Sequence, residues 1–224
     1  MYTVVFVEPE SSGNIGALAR VMKNFGLKEL VLVNPKCTID DDARARAKHA
    51  YEIIERARVV KDFKKAGEFD LIVGTTGKIK QGYDEVRCSI TPKELAGKKI
   101  KGRIALVFGR EGTGLSNEEL SACDIVVHIP ADGRYPIMNI SHAAAVLFYE
   151  LFSAGKETRA IASRREKEVL FDYFDAIVLG LENIREKKKV AKIFRNVVNR
   201  AAVAGKEAHA LAGALNEIKK KLAR

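Results

Sequence analysis

Apolar residues along positions 1–155 fall into two alternating patterns. Short continuous apolar runs bounded by Gly, Pro, Asn or charged residues predict β-strands. The predicted strands are Thr3–Val7, Glu29–Val33, Val59–Val60, Asp70–Gly74, Ile104–Phe108 and Ile125–Ile129. Apolar residues spaced three or four apart predict helices at Asn14–Phe25, Asp41–Arg58, Phe63–Ala66 and Ile140–Phe152, and helices capped by Thr91 and Ser116. Strands that alternate with helices indicate an α/β fold, a mostly parallel sheet covered on both faces.

The helix predicted at Ile140–Phe152 is apolar on nearly all sides. A helix with that pattern is buried. Because it ends the α/β region, we predict that its outer face forms the interface of a homodimer. A central core helix of a monomer is the competing interpretation.

The pattern changes after Gly155. A basic, polar stretch, Lys156–Lys167, is typical of a linker and a helix start. Three amphipathic helices are then predicted at Val169–Ile184, Lys187–Val203 and Glu207–Leu222. Without a strand pattern here, we predict an α/β domain over residues 1–155 and a small all-α domain over residues 156–224.

Charge is concentrated in the second of these parts. Residues 1–155 hold 22 Lys+Arg and 20 Asp+Glu, whereas residues 156–224 hold 17 and 9, so the tail carries +8 of the net +10. Such an excess is expected of a region that binds a polyanion. A solvated basic face fits the charge alone equally well.

Composition narrows the class of protein. Apolar residues make up 47% and charged residues 30%, as in soluble proteins. No apolar run approaches the roughly 20 residues that span a bilayer, and the first residues lack an export signal. Three widely spaced cysteines, Cys37, Cys88 and Cys123, predict no disulfide framework and fit a cytoplasmic protein. Histidines without ligand spacing predict no metal site.

Two loops rich in Gly and small polar residues follow predicted strands. The first holds Gly109, Arg110 and Glu111, and the second runs over Ala131–Met138 to Asn139, a good helix N-cap. Loops at the carboxyl ends of parallel strands are where open α/β sheets bind ligands. Neither a G-x-G-x-x-G fingerprint nor a Walker A sequence is present.

Three segments together resemble a known family. They are N-x-G-x-x-x-R from Asn14 to Arg20, F-G-R-E-G-x-G-L from Phe108 to Leu115, and Ile129-Pro130 followed by Asn139-x-Ser141. In this order they resemble the SpoU family of the SPOUT, or trefoil-knot, RNA methyltransferases over residues 3–152. The tail, through its Lys192–Arg195, Arg200-Ala201 and Leu211–Leu215 segments, is similar to the subfamily that methylates the ribose 2′-OH of nucleotide 32 in tRNA.

The resemblance implies S-adenosylmethionine as methyl donor, a deep trefoil knot, a homodimer and a tRNA anticodon stem-loop as partner. It also assigns residues of this chain to two sites. The implied cofactor-binding residues are Thr75, Thr76, Gly77, Gly109, Ile129, Pro136, Ile137 and Met138. The implied catalytic residues are Arg20, Asn14, Glu111, Asn139 and Ser141.

Elementary chemistry limits what these residues can do. In the family Arg20 is proposed to take the proton of the 2′-OH, but arginine keeps its own proton with a pKa above about 12. A clamp on the phosphate beside the target ribose is the milder role. Asn14 is placed to hold the ribose or Arg20, or to cap its helix, and Glu111 to hydrogen-bond to Asn14 or Arg20. Asn139 and Ser141 either face the site or cap the following helix.

A row of cations predicts where the tail meets RNA. Lys188, Lys192 and Arg195 share one helix face at i, i+4 and i+7, and Arg200 follows. We therefore expect tRNA methylation, with other RNA targets and a non-catalytic RNA-binding protein as alternatives. The absent dinucleotide fingerprint weighs against an oxidoreductase.

Overall fold

The computed structural model describes residues 1–77, 89–155 and 159–222, so that Cys88 lies outside the described residues. A parallel sheet of seven strands, in the order β3-β2-β1-β7-β4-β8-β5, forms the centre of residues 1–155. The strands are β1 (Tyr2–Val7), β2 (Glu29–Val33), β3 (Arg58–Val60), β4 (Leu71–Thr76), β5 (Ser89–Ile90), β6 (Ile100–Lys101), β7 (Ile104–Phe108), β8 (Ile125–His128) and β9 (Arg159–Ala160). The helices are α1 (Ser12–Asn24), α2 (Asp41–Ala47), α3 (Tyr51–Glu55), α4 (Pro92–Gly97), α5 (Asn117–Ala122), α6 (Ile140–Ser153), α7 (Arg164–Gly180), α8 (Lys187–Ala201) and α9 (Gly205–Leu222).

The central strands are apolar throughout because both faces of the sheet are covered. In β1, Val4 and Phe6 pack into the core on one face, and Val5 and Val7 pack into the core on the other. This follows from the period of two residues along a strand. Full burial of such a side chain stabilises the fold by about 1.5–3 kcal/mol. The predicted α/β fold with a mostly parallel sheet is therefore confirmed, and the trefoil knot stays a prediction.

The single helix predicted over Asp41–Arg58 is wrong. The chain forms two short helices, α2 and α3, joined by a 3-10 turn at Lys48–Ala50. Lys48 has a positive φ of 51°, which ends α2. The break allows Ala43 and Ala47 of α2, and also Ile53 and Ile54 of α3, to reach the same core.

The tail, residues 159–222, packs its three helices around a small core. Leu170 and Phe171 of α7 meet Val198 of α8 and Ala212 of α9 in that core. Helix α7 begins at Arg164, five residues before the predicted start at Val169, because Ser163 and Glu166 form a capping box.

The expectation that the tail has no strand is also wrong. Two residues, Arg159 and Ala160, form β9, which pairs in parallel with β6 of the α/β part. So short a strand leaves no readable pattern in the sequence, since period-two alternation needs about four residues.

A charged clamp holds the glycine-rich loop after β7. The guanidinium of Arg110 donates from Nε to Glu8 Oε2 at 2.6 Å, and from its terminal nitrogens to the Glu119 carboxylate at 3.0 and 3.1 Å. Contacts with Arg110, Lys36 and Asn34 lower the pKa of Glu8 to about 2. The pKa of Arg110 is raised, chiefly by its hydrogen bonds to Glu119. Both ends of the guanidinium are thus fixed, and the loop is tied to the segment after β1.

Gly16 allows α1 to approach α2, which gives a first prediction. A Cβ added at Gly16 would lie 2.2 Å from the carbonyl oxygen of Ala43. We expect Gly16→Ala to destabilise the fold by about 1–3 kcal/mol, as overpacking does. Gly213 in the interior of α9 has open space around it, so Gly213→Ala should stabilise by up to about 1 kcal/mol. Denaturant unfolding checks both, and equal stability of the two variants would contradict the close approach.

The clamp gives a second prediction, for the dependence of stability on pH. We expect Glu8→Gln to reduce the free energy of unfolding at neutral pH by about 1.5–3 kcal/mol, the usual loss for a charged hydrogen bond. Since folding depresses the pKa of Glu8 from 4.5 to about 2, its stabilisation is complete above about pH 5.5 and is lost as pH falls towards 2.

Denaturant unfolding of both proteins between pH 7 and pH 3 measures this difference. It should be constant above about pH 5.5 and shrink below that value. Glu29→Gln, at an exposed carboxylate, is the matched control. A difference that persists unchanged at pH 3 would show that Glu8 does not act as a charged partner.

Candidate active site

Three neighbouring strands end at the same edge of the sheet. Strand β4 lies between β7 and β8, all parallel. The residues that follow or end these strands are Gly109 after β7, Thr75–Gly77 at the end of β4, and Ile129 after β8. The topology therefore brings together three of the segments predicted to bind the cofactor.

The second loop reaches the same edge. An added Cβ at Gly77 would lie 2.7 Å from Cδ1 of Ile137, so the loop before α6 touches the end of β4. Thr75 is fixed by its hydroxyl, which donates to the carbonyl of Val107 at 2.9 Å. Pro136 and Met138 flank Ile137 on this loop and are half-buried. The predicted cofactor residues thus gather at one edge of the sheet, a region that we call the cleft, while their role in binding stays a prediction.

The loop after β7 turns back tightly on itself. The amide of Gly114 donates to the carbonyl of Arg110 at 2.9 Å. A Cβ at Gly109 would lie 2.2 Å from the backbone of Gly114 and Leu115. Only glycine fits such a close approach, so Gly109 allows the loop to fold back on itself.

Four polar side chains from three separate segments form one hydrogen-bonded row. Glu111 Oε1 accepts from Asn14 Nδ2 at 3.0 Å, and Asn14 Oδ1 accepts from Asn139 Nδ2 at 3.1 Å. Asn139 Oδ1 accepts from the backbone amide and the hydroxyl of Ser141, both at 2.9 Å. The predicted contact between Glu111 and Asn14 and the predicted cap at Asn139 are confirmed. Their catalytic roles stay predictions.

Glu111 also completes the start of α1. Its carboxylate accepts from the backbone amides of Glu10 at 2.9 Å and Ser11 at 3.1 Å. Ser11 is the N-cap of α1 and makes no side-chain cap bond of its own. The alternative in which Asn14 caps the helix is therefore wrong: Asn14 lies within α1, and its amide is used across the cleft.

Arg20 lies apart from this row. It follows Asn14 by six residues, which places it about 120° away around the axis of α1. Its side chain is exposed and makes no hydrogen bond or ion pair with the described part of the chain. Arg20 therefore takes no part in the hydrogen-bonded row.

Sequence reasoning missed two groups that support the site. Glu8 and Glu119 hold Arg110, as described above, and His128 Nδ1 lies 3.2 Å from the carbonyl of Thr76, joining the ends of β4 and β8. Glu119 also forms a capping box with Ser116 at the start of α5. The ion pair of Glu119 with Arg110 depends on the turn of the loop after β7, which no sequence spacing predicts.

The predicted row of cations in the tail is not open. Lys192 Nζ donates to the carbonyl of Ser121 at 2.7 Å. Arg195 pairs with Asp175 and lies over the ring of Phe171. Both side chains therefore contact protein groups, while their predicted role in RNA binding stays a prediction. Lys188 is exposed and Arg200 is half-buried at the end of the same helix.

Two further searches cover the described residues only. No helix among them is long and apolar enough to cross a membrane. No three His, Cys, Asp or Glu side chains among them gather where they could hold a metal ion.

The chain is similar to known proteins over most of its length. The model of the SpoU rRNA Methylase family matches residues 1–149. The tRNA (cytidine-2′-O-)-methyltransferase TrmJ of Methanocaldococcus jannaschii is 43% identical over 225 residues, covering 96% of this chain and 98% of that protein.

Solved structures of similar proteins have the same fold. A probable methylase family protein from Haemophilus influenzae superposes with a TM-score of 0.70 and 33% identity, covering 99% of this chain and 97% of the other. TrmJ from Z. mobilis superposes with a TM-score of 0.68 over 98% of this chain and, at 22% identity, shows the fold alone. The predicted family and enzyme class are confirmed: this chain is a methyltransferase of the SpoU family.

Proposed function

We propose that this enzyme transfers a methyl group from S-adenosylmethionine to the ribose 2′-OH of nucleotide 32 in the anticodon loop of tRNA. The observation that carries the proposal is the M. jannaschii relative, whose name states tRNA and cytidine 2′-O-methylation and whose similarity runs through the basic tail. The cleft between the ends of β7, β4 and β8 supplies the place for the reaction. We also propose a cytoplasmic location, in keeping with a tRNA substrate.

The chemistry asks the protein for position. In methyl transfer the 2′-oxygen bonds to the methyl carbon as the carbon–sulfur bond breaks, and the hydroxyl proton leaves. S-Adenosylmethionine supplies a methyl group already activated by a positively charged sulfur. Holding the two reactants in line contributes much of the rate in such reactions.

The loops of the cleft fit a donor with an adenine and an amino-acid tail. Thr75–Gly77, Gly109, Ile129 and Pro136–Met138 present backbone groups at one edge of the sheet. The contact between Gly77 and Ile137 closes one side of the cleft. The charged clamp on Arg110 keeps the loop from moving when the donor enters.

The polar row orients groups beside the donor. Glu111 already accepts three hydrogen bonds, from Asn14 and from two backbone amides. It therefore holds Asn14 in place and does not act as the base. Asn14 and Asn139 present the amides that contact the ribose, and Ser141 fixes the orientation of Asn139.

Arg20 binds RNA in this proposal. Its exposed guanidinium keeps its proton, so it clamps the phosphate next to the target ribose and polarises the hydroxyl. The proton of the 2′-OH passes to solvent. Lys188 and Arg200 in the tail, where most of the net charge lies, hold the anticodon stem-loop through its phosphates.

A homodimer through α6 belongs to the same proposal. Leu147 and Phe148 of this helix are buried, but Val146, Tyr149 and Phe152 are 37%, 58% and 67% exposed. These three lie along one stripe at intervals of three residues. A contiguous apolar stripe of this kind marks an interaction surface.

Ribosomal RNA is the second candidate substrate, and it is favoured by the description of the family model. Methylation of unmodified tRNA and of rRNA with labelled S-adenosylmethionine, followed by mapping of the modified nucleotide, decides between them. We expect label at nucleotide 32 of tRNA. Label in rRNA alone would reject the tRNA proposal.

Arg20→Ala is the matched variant for this assay. We expect methylation to fall at least about 100-fold while donor binding, measured by calorimetry, changes little, because Arg20 faces the RNA. Arg20→Lys should recover little activity, since lysine lacks the bidentate fork. Full activity of Arg20→Ala would show that the assigned RNA site is wrong.

The α6 stripe gives a prediction for assembly. We expect a dimer at micromolar concentration by sedimentation, and a shift to monomer in Tyr149→Glu, because a charge would have to be buried at the interface. Leu211→Glu, at a 45% exposed position on α9, is the control that should remain dimeric. A monomeric wild-type protein would reject the interface.

A further inference from the structure

We propose that Lys167, Lys192 and Asn199 are positioning residues that lock the helical tail onto the amino edge of the sheet, so that Lys192 serves docking and not RNA contact. The inference rests on the proposed function in one respect: it assumes that the tail takes part in binding tRNA. Sequence spacing had grouped Lys192 with the RNA-facing cations.

Lys167 is the first part of the lock. This lysine of α7 is only 5% exposed. Its ammonium donates to the backbone carbonyl of Asp70 at 2.8 Å and to Asn199 Oδ1 at 3.0 Å. A buried ammonium is costly unless it is paired or hydrogen-bonded, and burial lowers the pKa of Lys167. A lysine that served only as a solvated surface cation would not be buried in this way.

Asn199 continues the same network into the sheet. Its Nδ2 donates to Asp124 Oδ1 at 2.9 Å, and Asp124 Oδ2 accepts from the amide of Ile72 at 2.8 Å. Asn199 is buried, and its amide orientation is set by the ammonium of Lys167 on its oxygen. The bonds thus run from α7 and α8 to the residues that begin β4 and β8.

Lys192 adds a third, separate attachment. Its ammonium reaches the carbonyl of Ser121 in α5, just before the start of β8. The side chain is half-buried, and desolvation lowers its pKa. All three tail donors therefore meet acceptors in two short segments of the α/β part, around Asp70 and at Ser121–Asp124.

These contacts lie at the wall of an open crevice of about 660 Å³ between the sheet and the tail. Its lining mixes cations such as Arg164 with anions such as Glu168 and Asp172. A balanced lining does not favour phosphate, which agrees with a docking role for this face of α8.

Lys167, Lys192 and Asn199, the lock, bind at the amino ends of β4 and β8, opposite the ends that form the cleft. β4 and β8 begin at the lock and end at Thr76 and His128 in the cleft. Six residues of strand separate the two ends of β4, about 17 Å at 3.3 Å per residue. At that distance these residues cannot touch the reacting groups. They fix the cations of the tail relative to the cleft, which avoids the cost of ordering a mobile tail on RNA.

The test compares Lys167→Met and Lys192→Met with Lys206→Met, which removes one exposed charge from α9. Hydrogen exchange reports docking, since the amides of Arg159 and Ile161 donate to the carbonyls of Lys99 and Lys101 across the junction. We expect these amides to exchange at least tenfold faster in Lys167→Met and in Lys192→Met. Their exchange rate should be unchanged in the control, Lys206→Met. The tRNA KM should rise about 5- to 20-fold with kcat within about twofold and donor affinity unchanged.

The salt dependence of tRNA binding separates docking from phosphate contact. Loss of one phosphate contact lowers the slope of log K against log[salt] by roughly 0.7–0.9. We expect an unchanged slope in Lys192→Met. A lowered slope with normal exchange would overturn the inference and make Lys192 an RNA contact.

Two other outcomes are decisive. Fast exchange with an unchanged tRNA KM would reject the positioning role. If Lys167→Met fails to fold, the half-buried Lys192 still gives the full comparison. If the wild-type protein leaves tRNA unmethylated while the variants show the expected differences in exchange, the lock is supported and the proposed substrate is rejected.

Discussion

One carboxylate holds the candidate site together. Glu111 accepts three hydrogen bonds, two from the backbone at the start of α1 and one from Asn14. Asn14 in turn holds Asn139 at the start of α6. Without this carboxylate, the first turn of α1 would lose its cap, and the half-buried donors of Ser11 and Asn14 would be left unpaired, at about 1–3 kcal/mol each. The loop after β7, helix α1 and helix α6 depend on it for their relative placement.

The fold was largely predictable because burial on both faces leaves a strong pattern. Runs such as Val4–Val7 and Leu30–Val33 are continuous and apolar, and the helices between them carry readable caps. The failures share a physical cause. Lys48 breaks a helix with a backbone conformation that its side chain does not announce, and β9 is too short to show a period.

The candidate site was predictable in part. Its residues came from a resemblance, and the structure brings four of the five implied catalytic residues into one row. The ion pairs of Arg110 with Glu8 and Glu119 were not predicted, because these residues are far apart in the sequence or on different elements and meet only in the folded chain. A spacing of i, i+4 and i+7 says which side chains share a face, but not what that face meets. The contacts of Lys192 with Ser121 and of Arg195 with Asp175 were not predicted for that reason.

The sheet therefore has two edges with different tasks. Its carboxyl edge carries loops shaped by glycine and by a saturated carboxylate, where backbone groups face the cleft. Its amino edge carries acceptors, Asp70, Ser121 and Asp124, that receive donors from the tail. Since β4 and β8 are stiff and run between the edges, the tail cannot shift on the sheet without breaking buried hydrogen bonds. In the proposed function, an RNA bound to the tail would reach the cleft in one orientation, which is the condition that methyl transfer by alignment requires.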